Sequence, residues 1–353
     1  MAVFACARCG AELTAPVSRV ALPVHAHQRH GHELLPALME PGTYAVDSEP
    51  FGPPWRSWSE AGTDEAAARG VFAPVPALSF GPSGAVVVTP GDVRGTVLIL
   101  ERCDGYCLGL DGRDGPNLAC ARCGRAVATR IDDCTFWQAV WLAPDAVQIL
   151  TADRPAGPAN WETLTQEYEA TPPVEPCGAW DPRWEAAAGA ALAHLLAVSR
   201  GAPVDVPDGL LADTFRRVLD LLLPPGRAPR KSAALAGPGL PTPDPVPDIA
   251  LVPRHPRTGE VWQPPPGIAH SVPLAADVWL QLARHEVQLP VPMTGGLPDG
   301  VLRDDPLPLR PHSLFRPDPH IFLHTLARLP AVREPWLRDI HERVSENPYR
   351  RPF

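Results

Sequence analysis

Apolar positions follow different patterns in the two halves of the chain. Up to about residue 150 they form short runs of Val, Ile, Leu and Trp separated by Gly and Pro, a pattern typical of β-strands. These runs predict strands over residues 17–24, 85–88, 96–100, 136–142 and 146–150. We interpret residues 41–59 as an ordered loop whose aromatic side chains dock it onto the sheet: Tyr44, Phe51, Trp55 and Trp58.

In the second half, apolar residues recur at the spacing of short helices. The pair Asp181 and Pro182 predicts a helix start, as N-cap and first-turn proline, and Gly201 predicts the end of that helix. Further helices are predicted over residues 208–223 and 274–287, from Asp318-Pro319 onward, and around Trp336, Ile340 and Val344.

Proline is abundant, with 47 residues in a chain of 353. Residues 153–180 and 224–247 contain many prolines without an apolar period, so we expect a linker and an exposed connector there. The sequence therefore predicts the α+β class, with a β-rich domain over 1–152, a linker over 153–180 and a helical, proline-rich domain over 181–353.

Charge and hydropathy narrow the range of partners. The net charge of −9 argues against a protein that coats nucleic acid, which needs a basic surface. The longest apolar run, residues 186–198, is too short to span a bilayer. No charged segment followed by an apolar stretch opens the chain. We therefore expect a cytoplasmic protein that is not associated with a membrane.

The strongest chemical signal is a repeated pentapeptide. Cys-Ala-Arg-Cys-Gly occurs at residues 6–10 and again at 120–124. A C-x-x-C turn directs two thiolates to one metal, the following glycine allows the left-handed backbone that closes the turn, and two such turns supply the four ligands of tetrahedral zinc. We predict that one Zn²⁺ is bound by Cys6, Cys9, Cys120 and Cys123.

Both turns carry an apolar residue three positions after the glycine, Leu13 and Val127. In these two short segments the chain resembles the paired knuckles of zinc ribbons. The resemblance covers residues 6–13 and 120–127. Zinc ribbons separate their knuckles by a few tens of residues, whereas here Cys120 follows Cys9 by 111 positions.

Other ligand sets remain open at the level of sequence. Cys103, Cys107, Cys120 and Cys123 have the spacing of a local four-cysteine finger, and Cys134 lies close by. Cys6 and Cys9 would then need other ligands, and the nearest candidates are His25, His27, His30 and His32. Cys177 has no assigned role.

The four histidines within residues 25–32 suggest a second kind of chemistry. In a strand, His25 and His27 would project from one face, as two ligands of a catalytic metal can. All three His-Glu dipeptides lack the second histidine of a zinc protease, and the chain has neither a phosphate-binding P-loop nor a G-x-S-x-G elbow.

Three functions therefore follow as hypotheses. The first is a zinc-binding protein whose four-cysteine site is structural and which acts as an interaction or scaffold module for a protein partner, by binding rather than catalysis. The second is a metal-dependent hydrolase that uses the histidines of residues 25–32. The third is a nucleic-acid-binding zinc ribbon with arginines such as Arg8 and Arg122, which the net charge disfavours.

Overall fold

A computed structural model describes residues 1–151, 157–223, 228–284, 289–292, 300, 310–348 and 353. The chain forms two compact units. The first comprises Met1–Ala159, His255–Glu260 and Ala327–Arg333, and the second comprises Asn160–Arg254, Val261–Leu326 and Glu334–Phe353. Both strands and helices are present in several sheets, so the predicted α+β class is confirmed.

The first unit is built mainly from strands. They are β1 (Val3–Cys6), β2 (Ser18–Arg19), β3 (Thr43–Pro50), β4 (Trp55–Arg56), β5 (Leu78–Ser79), β6 (Ser83–Val88), β7 (Thr96–Leu98), β8 (Leu118–Cys120), β9 (Ala126–Ile131), β10 (Ala139–Leu142) and β11 (Val147–Thr151). Two short helices, α1 (Trp58–Ala61) and α2 (Thr63–Ala68), lie between β4 and β5.

Seven of these strands form one sheet in the order β2-β3-β6-β10-β9-β8-β7. Strand β1 pairs with β11, and β4 pairs with β5. All of these pairings are antiparallel except that of β2 with β3. Strand β8 is thus joined to β9 on one side and to β7, at the end of the sheet, on the other.

The sheet buries apolar side chains on both faces. Along β6, Val86 and Val88 pack into one core cluster, while Ala85 and Val87 pack into another. This alternation follows from the two-residue period of a strand. The first of these clusters also contains Cys6 and Cys120, so the core positions two of the predicted metal ligands.

Two sequence interpretations of the first unit need correction. The predicted loop over residues 41–59 contains the eight-residue strand β3, in which Tyr44 and Ala45 are both buried. The predicted strand over 17–24 contains only the two residues of β2, and a turn begins at residue 24. The docking role of Phe51 holds, since its ring stacks on Trp141 at 4.5 Å.

The second unit combines helices with a small parallel sheet. Its helices are α3 (Trp161–Glu167), α4 (Pro182–Ser199), α5 (Leu210–Leu222), α6 (Ala276–Arg284), α7 (Pro319–Arg328, whose last two residues belong to the first unit) and α8 (Pro335–Glu346). Its strands are β12 (Val204–Asp205), β13 (Lys231–Leu235), β14 (Ile249–Arg254) and β15 (His270–Ala275), paired in that order and all parallel.

The predicted start of helix α4 agrees with the structure, whereas the predicted connector over residues 224–247 agrees only in part. The Asp181 carboxylate caps α4 by accepting from the Arg183 N–H at 2.8 Å, and Arg200 ends the helix with φ of 53°. The predicted connector over 224–247 is wrong at β13, which pairs within the parallel sheet. Residues 224–227 lie outside the described part.

The predicted domain boundaries at 152 and 180 stay a prediction. Helix α3 lies inside the segment predicted to be a linker, of which residues 152–156 fall outside the described part. Within the described residues, no helix has the length and apolar character needed to cross a membrane.

Candidate metal centre

The first knuckle begins where β1 ends. The Gly10 N–H donates to the Cys6 carbonyl at 2.8 Å, and the Cys6 N–H donates to the Ala11 carbonyl at 2.8 Å. Gly10 has φ of 70°, in the left-handed region that favours glycine. These bonds reverse the chain within five residues and bring both cysteine side chains of the turn to one side.

The second knuckle repeats this geometry at the end of β8. The Gly124 N–H donates to the Cys120 carbonyl at 2.8 Å, the Cys120 N–H donates to the Arg125 carbonyl at 2.8 Å, and Gly124 has φ of 72°. Leu13 and Val127, the apolar residues predicted to follow the two glycines, are both fully buried. The same pentapeptide thus folds in the same way twice.

The two knuckles bring four sulfur atoms together. Cys6 Sγ lies 3.5 Å from Cys123 Sγ, and Cys9 Sγ lies 3.6 Å from Cys120 Sγ. All four sulfurs lie within 4.8 Å of one another. A tetrahedral metal with bonds of about 2.3 Å holds its sulfur ligands about 3.8 Å apart. The cluster therefore has the dimensions of a single four-cysteine metal site.

Burial differs between the two members of each pair. Cys6 and Cys120 are fully buried within the apolar cluster, whereas Cys9 and Cys123 are half-buried and pack against it. The Arg122 guanidinium donates to the Cys9 carbonyl at 3.4 Å and so links the second knuckle to the first. The cluster lies at the margin of the core, with its inner ligands shielded from solvent.

The thiol pKa values reflect this arrangement. Burial raises the pKa of the Cys6 thiol. Hydrogen bonds from the backbone N–H groups of Arg8 and Cys9, together with the Cys9 and Cys123 side chains, outweigh that effect and lower the pKa to about 7. For Cys9, the N–H of Ala11 lowers the pKa, while burial and the other three cysteines raise it to about 11. Several thiolates this close together repel one another, and a bound cation relieves that repulsion.

The structure does not bring the four cysteines of the alternative local finger together. Cys107 lies with His32 and Cys134, away from the pair Cys120 and Cys123. The Cys103 thiol donates instead to the Ile99 carbonyl at 3.3 Å. The local spacing of these cysteines therefore does not correspond to a shared site.

The histidines of residues 25–32 do not share one site and contact different residues. His25 packs against the Trp137 ring at 4.3 Å between centroids. His27 Nε2 lies 3.3 Å from the Asp47 carboxylate, and its ring lies 5.7 Å from that of Trp141. His32 Nδ1 lies 3.7 Å from Cys134 Sγ. Residues 24–27 form a turn, so His25 and His27 do not lie in a strand and do not share one strand face.

Sequence reasoning named the residues of the His32, Cys107 and Cys134 group but did not group them. They come from three loops, and no short spacing connects them in the chain.

Compared with known proteins, the chain shows no match to a family model, to a curated protein or to a solved structure. The resemblance to zinc ribbons thus remains limited to the two knuckles.

Proposed function

We propose that Cys6, Cys9, Cys120 and Cys123 bind one structural Zn²⁺ and that the protein is a zinc-stabilised module for binding a protein partner. The observation that carries the zinc assignment is the pair of matched knuckles, whose sulfurs lie 3.5 and 3.6 Å apart in cross-knuckle pairs. Zinc accepts four thiolates in a tetrahedron at these separations.

The ligand set favours a structural role over catalysis. Four cysteines fill the coordination shell of tetrahedral zinc and leave no position for water or substrate. Tetrahedral sulfur sites also suit iron, so the identity of the metal is part of the test. A metal here joins β1 to β8 across 111 positions of the chain, and metal binding then contributes to the free energy of folding.

A ligand substitution with a matched control tests the zinc site. We expect Cys120→Ser to lose one equivalent of zinc per chain and to lower the melting temperature, because one ligand is removed and a buried thiol is replaced by a polar hydroxyl. Cys177→Ser changes an exposed cysteine of the second unit and should alter neither. Metal analysis and thermal unfolding measure both effects. Full zinc content in Cys120→Ser, or iron in the purified protein, would contradict the assignment.

An edge of the first unit supports the binding role. Strand β7 ends the seven-stranded sheet, and the described residues contain no further strand paired to its outer side. Val97 is 52% exposed, Leu98 43% and the nearby Leu100 74%. An unpaired edge with exposed apolar side chains favours the addition of an extended peptide strand from a partner.

The backbone of β7 presents hydrogen-bonding groups to such a strand. Gly95 and Ile99 bond toward β8, through the Ala121 N–H and the Asn117 carbonyl respectively. The alternation of a strand then turns the backbone groups of Leu98 outward. The partner segment that fits is extended and apolar, and we expect Leu98→Lys to weaken its binding.

A further inference from the structure

Three loops of the first unit meet at a second group of metal-ligating side chains. His32 comes from the loop between β2 and β3, Cys107 from the loop between β7 and β8, and Cys134 from the loop between β9 and β10. Their ligand atoms all lie within 4.8 Å of one another, and His32 Nδ1 is 3.7 Å from Cys134 Sγ.

A buried carboxylate holds two of these loops together. Asp133 is only 1% exposed, and it accepts from the backbone N–H groups of Cys107 at 3.2 Å, Leu108 at 3.0 Å and Cys134 at 2.7 Å. A carboxylate that accepts several N–H bonds fixes the backbone that carries them. The two cysteines are therefore positioned by a shared buried anchor.

The loop that carries His32 is attached at Thr135, the residue after Cys134. The Thr135 carbonyl accepts from the His30 N–H at 2.9 Å, and the Thr135 N–H donates to the Glu33 carbonyl at 3.1 Å. Thr135 has φ of 76°, an unusual conformation for a β-branched residue that persists only where the surrounding structure requires it. His32 lies between these two attachments and so faces Cys134.

We propose that His32, Cys107 and Cys134 form a second, exchangeable site for Zn²⁺, separate from the four-cysteine centre. One imidazole and two thiolates suit zinc, and three protein ligands leave the fourth position of the tetrahedron for water. His32 and Cys107 are exposed, so the metal is in contact with solvent. This site can exchange its metal and accept an external ligand, which the closed four-cysteine shell cannot.

Cobalt titration of the full-length protein tests this site. The reduced, zinc-containing protein is first treated with a chelator to remove loosely held metal and is then titrated with Co²⁺ alone. We expect one equivalent of Co²⁺ to produce the thiolate-to-cobalt charge-transfer absorption and the d–d bands of tetrahedral cobalt. Added Zn²⁺ should displace it. Absence of these bands at one equivalent in the reduced protein would overturn the proposal.

Variants separate this site from its neighbours. We expect His32→Ala and Cys107→Ser, both at exposed positions, to weaken Co²⁺ binding by more than about 100-fold, because removing a ligand exceeds the 10- to 100-fold effect of changing an outer partner. Cys103→Ser changes a cysteine whose thiol faces the Ile99 carbonyl and should leave the titration unchanged. Equal Co²⁺ affinity in His32→Ala and the parent would also overturn the assignment.

The zinc content distinguishes this proposal from the structural site. The chelated His32→Ala protein should retain the zinc of the four-cysteine centre and its melting temperature, since His32 belongs to a different group of ligand atoms. Loss of that zinc together with the cobalt bands would show that the two groups are not independent sites and would contradict the second one as proposed.

Discussion

At the scale of single residues, two glycines determine how the cysteines are presented. Gly10 and Gly124 have φ values of 70° and 72°, and a Cβ at either position would have no atom within 4 Å. Space is therefore available for a side chain, and the requirement for glycine comes from the backbone conformation alone. A left-handed conformation costs an ordinary L-residue roughly 1–2 kcal/mol.

This requirement leads to a graded substitution test. We expect Gly124→Ala to lower the free energy of unfolding by about 1–2 kcal/mol, and Gly124→Asn to lower it less because asparagine tolerates the left-handed region. Gly91→Ala is the control, since Gly91 also has open space but no left-handed φ, and it should be neutral. Urea unfolding measures all three. Equal effects of alanine at positions 124 and 91 would contradict the argument.

At the scale of elements, short sequence motifs predict the turns and helix starts that they form themselves. They do not predict strands that form only by pairing with distant parts of the chain. Both knuckles follow from five consecutive residues with glycine last, and the start of α4 follows from Asp181 and Pro182. By contrast, β14 and β15 each contain a proline, and β13 is rich in Ser and Ala, so their sequences do not indicate strands.

The candidate sites divide in the same way. The four-cysteine cluster was predictable because each pair is local and the two pentapeptides are identical. The group of His32, Cys107 and Cys134 was not, because it depends on the buried Asp133 and on the turn at Thr135, whose roles appear only in three dimensions. The partial burial of one acidic side chain in a helix was likewise not predictable from the sequence.

That side chain is Glu185 in α4. Burial and the nearby charges of Asp318 and Asp181 raise its pKa to about 8, against the opposing effect of Arg316. A carboxyl whose pKa is raised in the folded state keeps its proton there while the unfolded chain loses it. Its contribution to stability is complete below the unfolded pKa of about 4.5 and is lost as the pH rises through about 8.

The substitution Glu185→Gln should remove this pH dependence of the unfolding free energy. Between pH 6.5 and 8 we expect the parent to lose about 2 kcal/mol of unfolding free energy relative to Glu185→Gln, since one pKa unit corresponds to about 1.4 kcal/mol. His194→Gln is the control: burial lowers the pKa of His194 to about 4, so this variant should change the profile below pH 6.5. A constant difference between parent and Glu185→Gln over pH 6.5–8 would contradict the argument.

At the scale of the whole molecule, the two proposed metal sites and the sheet edge belong to the same unit. The zinc proposed at the two knuckles fixes β1 and β8, and β8 pairs directly with β7 in a register that places Thr96 opposite Cys120. The outermost strand is therefore paired directly opposite one of the proposed metal ligands. A rigid edge strand loses less conformational entropy of its own when a partner strand binds, so a fixed edge favours that addition.

The substitution Leu98→Lys tests that role of the edge. A charge on an edge strand opposes pairing with an apolar segment, and Leu98 is already 43% exposed, so the fold should tolerate it. A library of displayed random peptides, selected on the zinc-loaded full chain, should yield extended apolar sequences. We expect Leu98→Lys to weaken their binding at least tenfold, and Leu221→Lys, at an exposed leucine of α5 in the second unit, to leave it unchanged. If the selected peptides bind both variants equally, or if the library yields no binding peptide, β7 is not the docking strand.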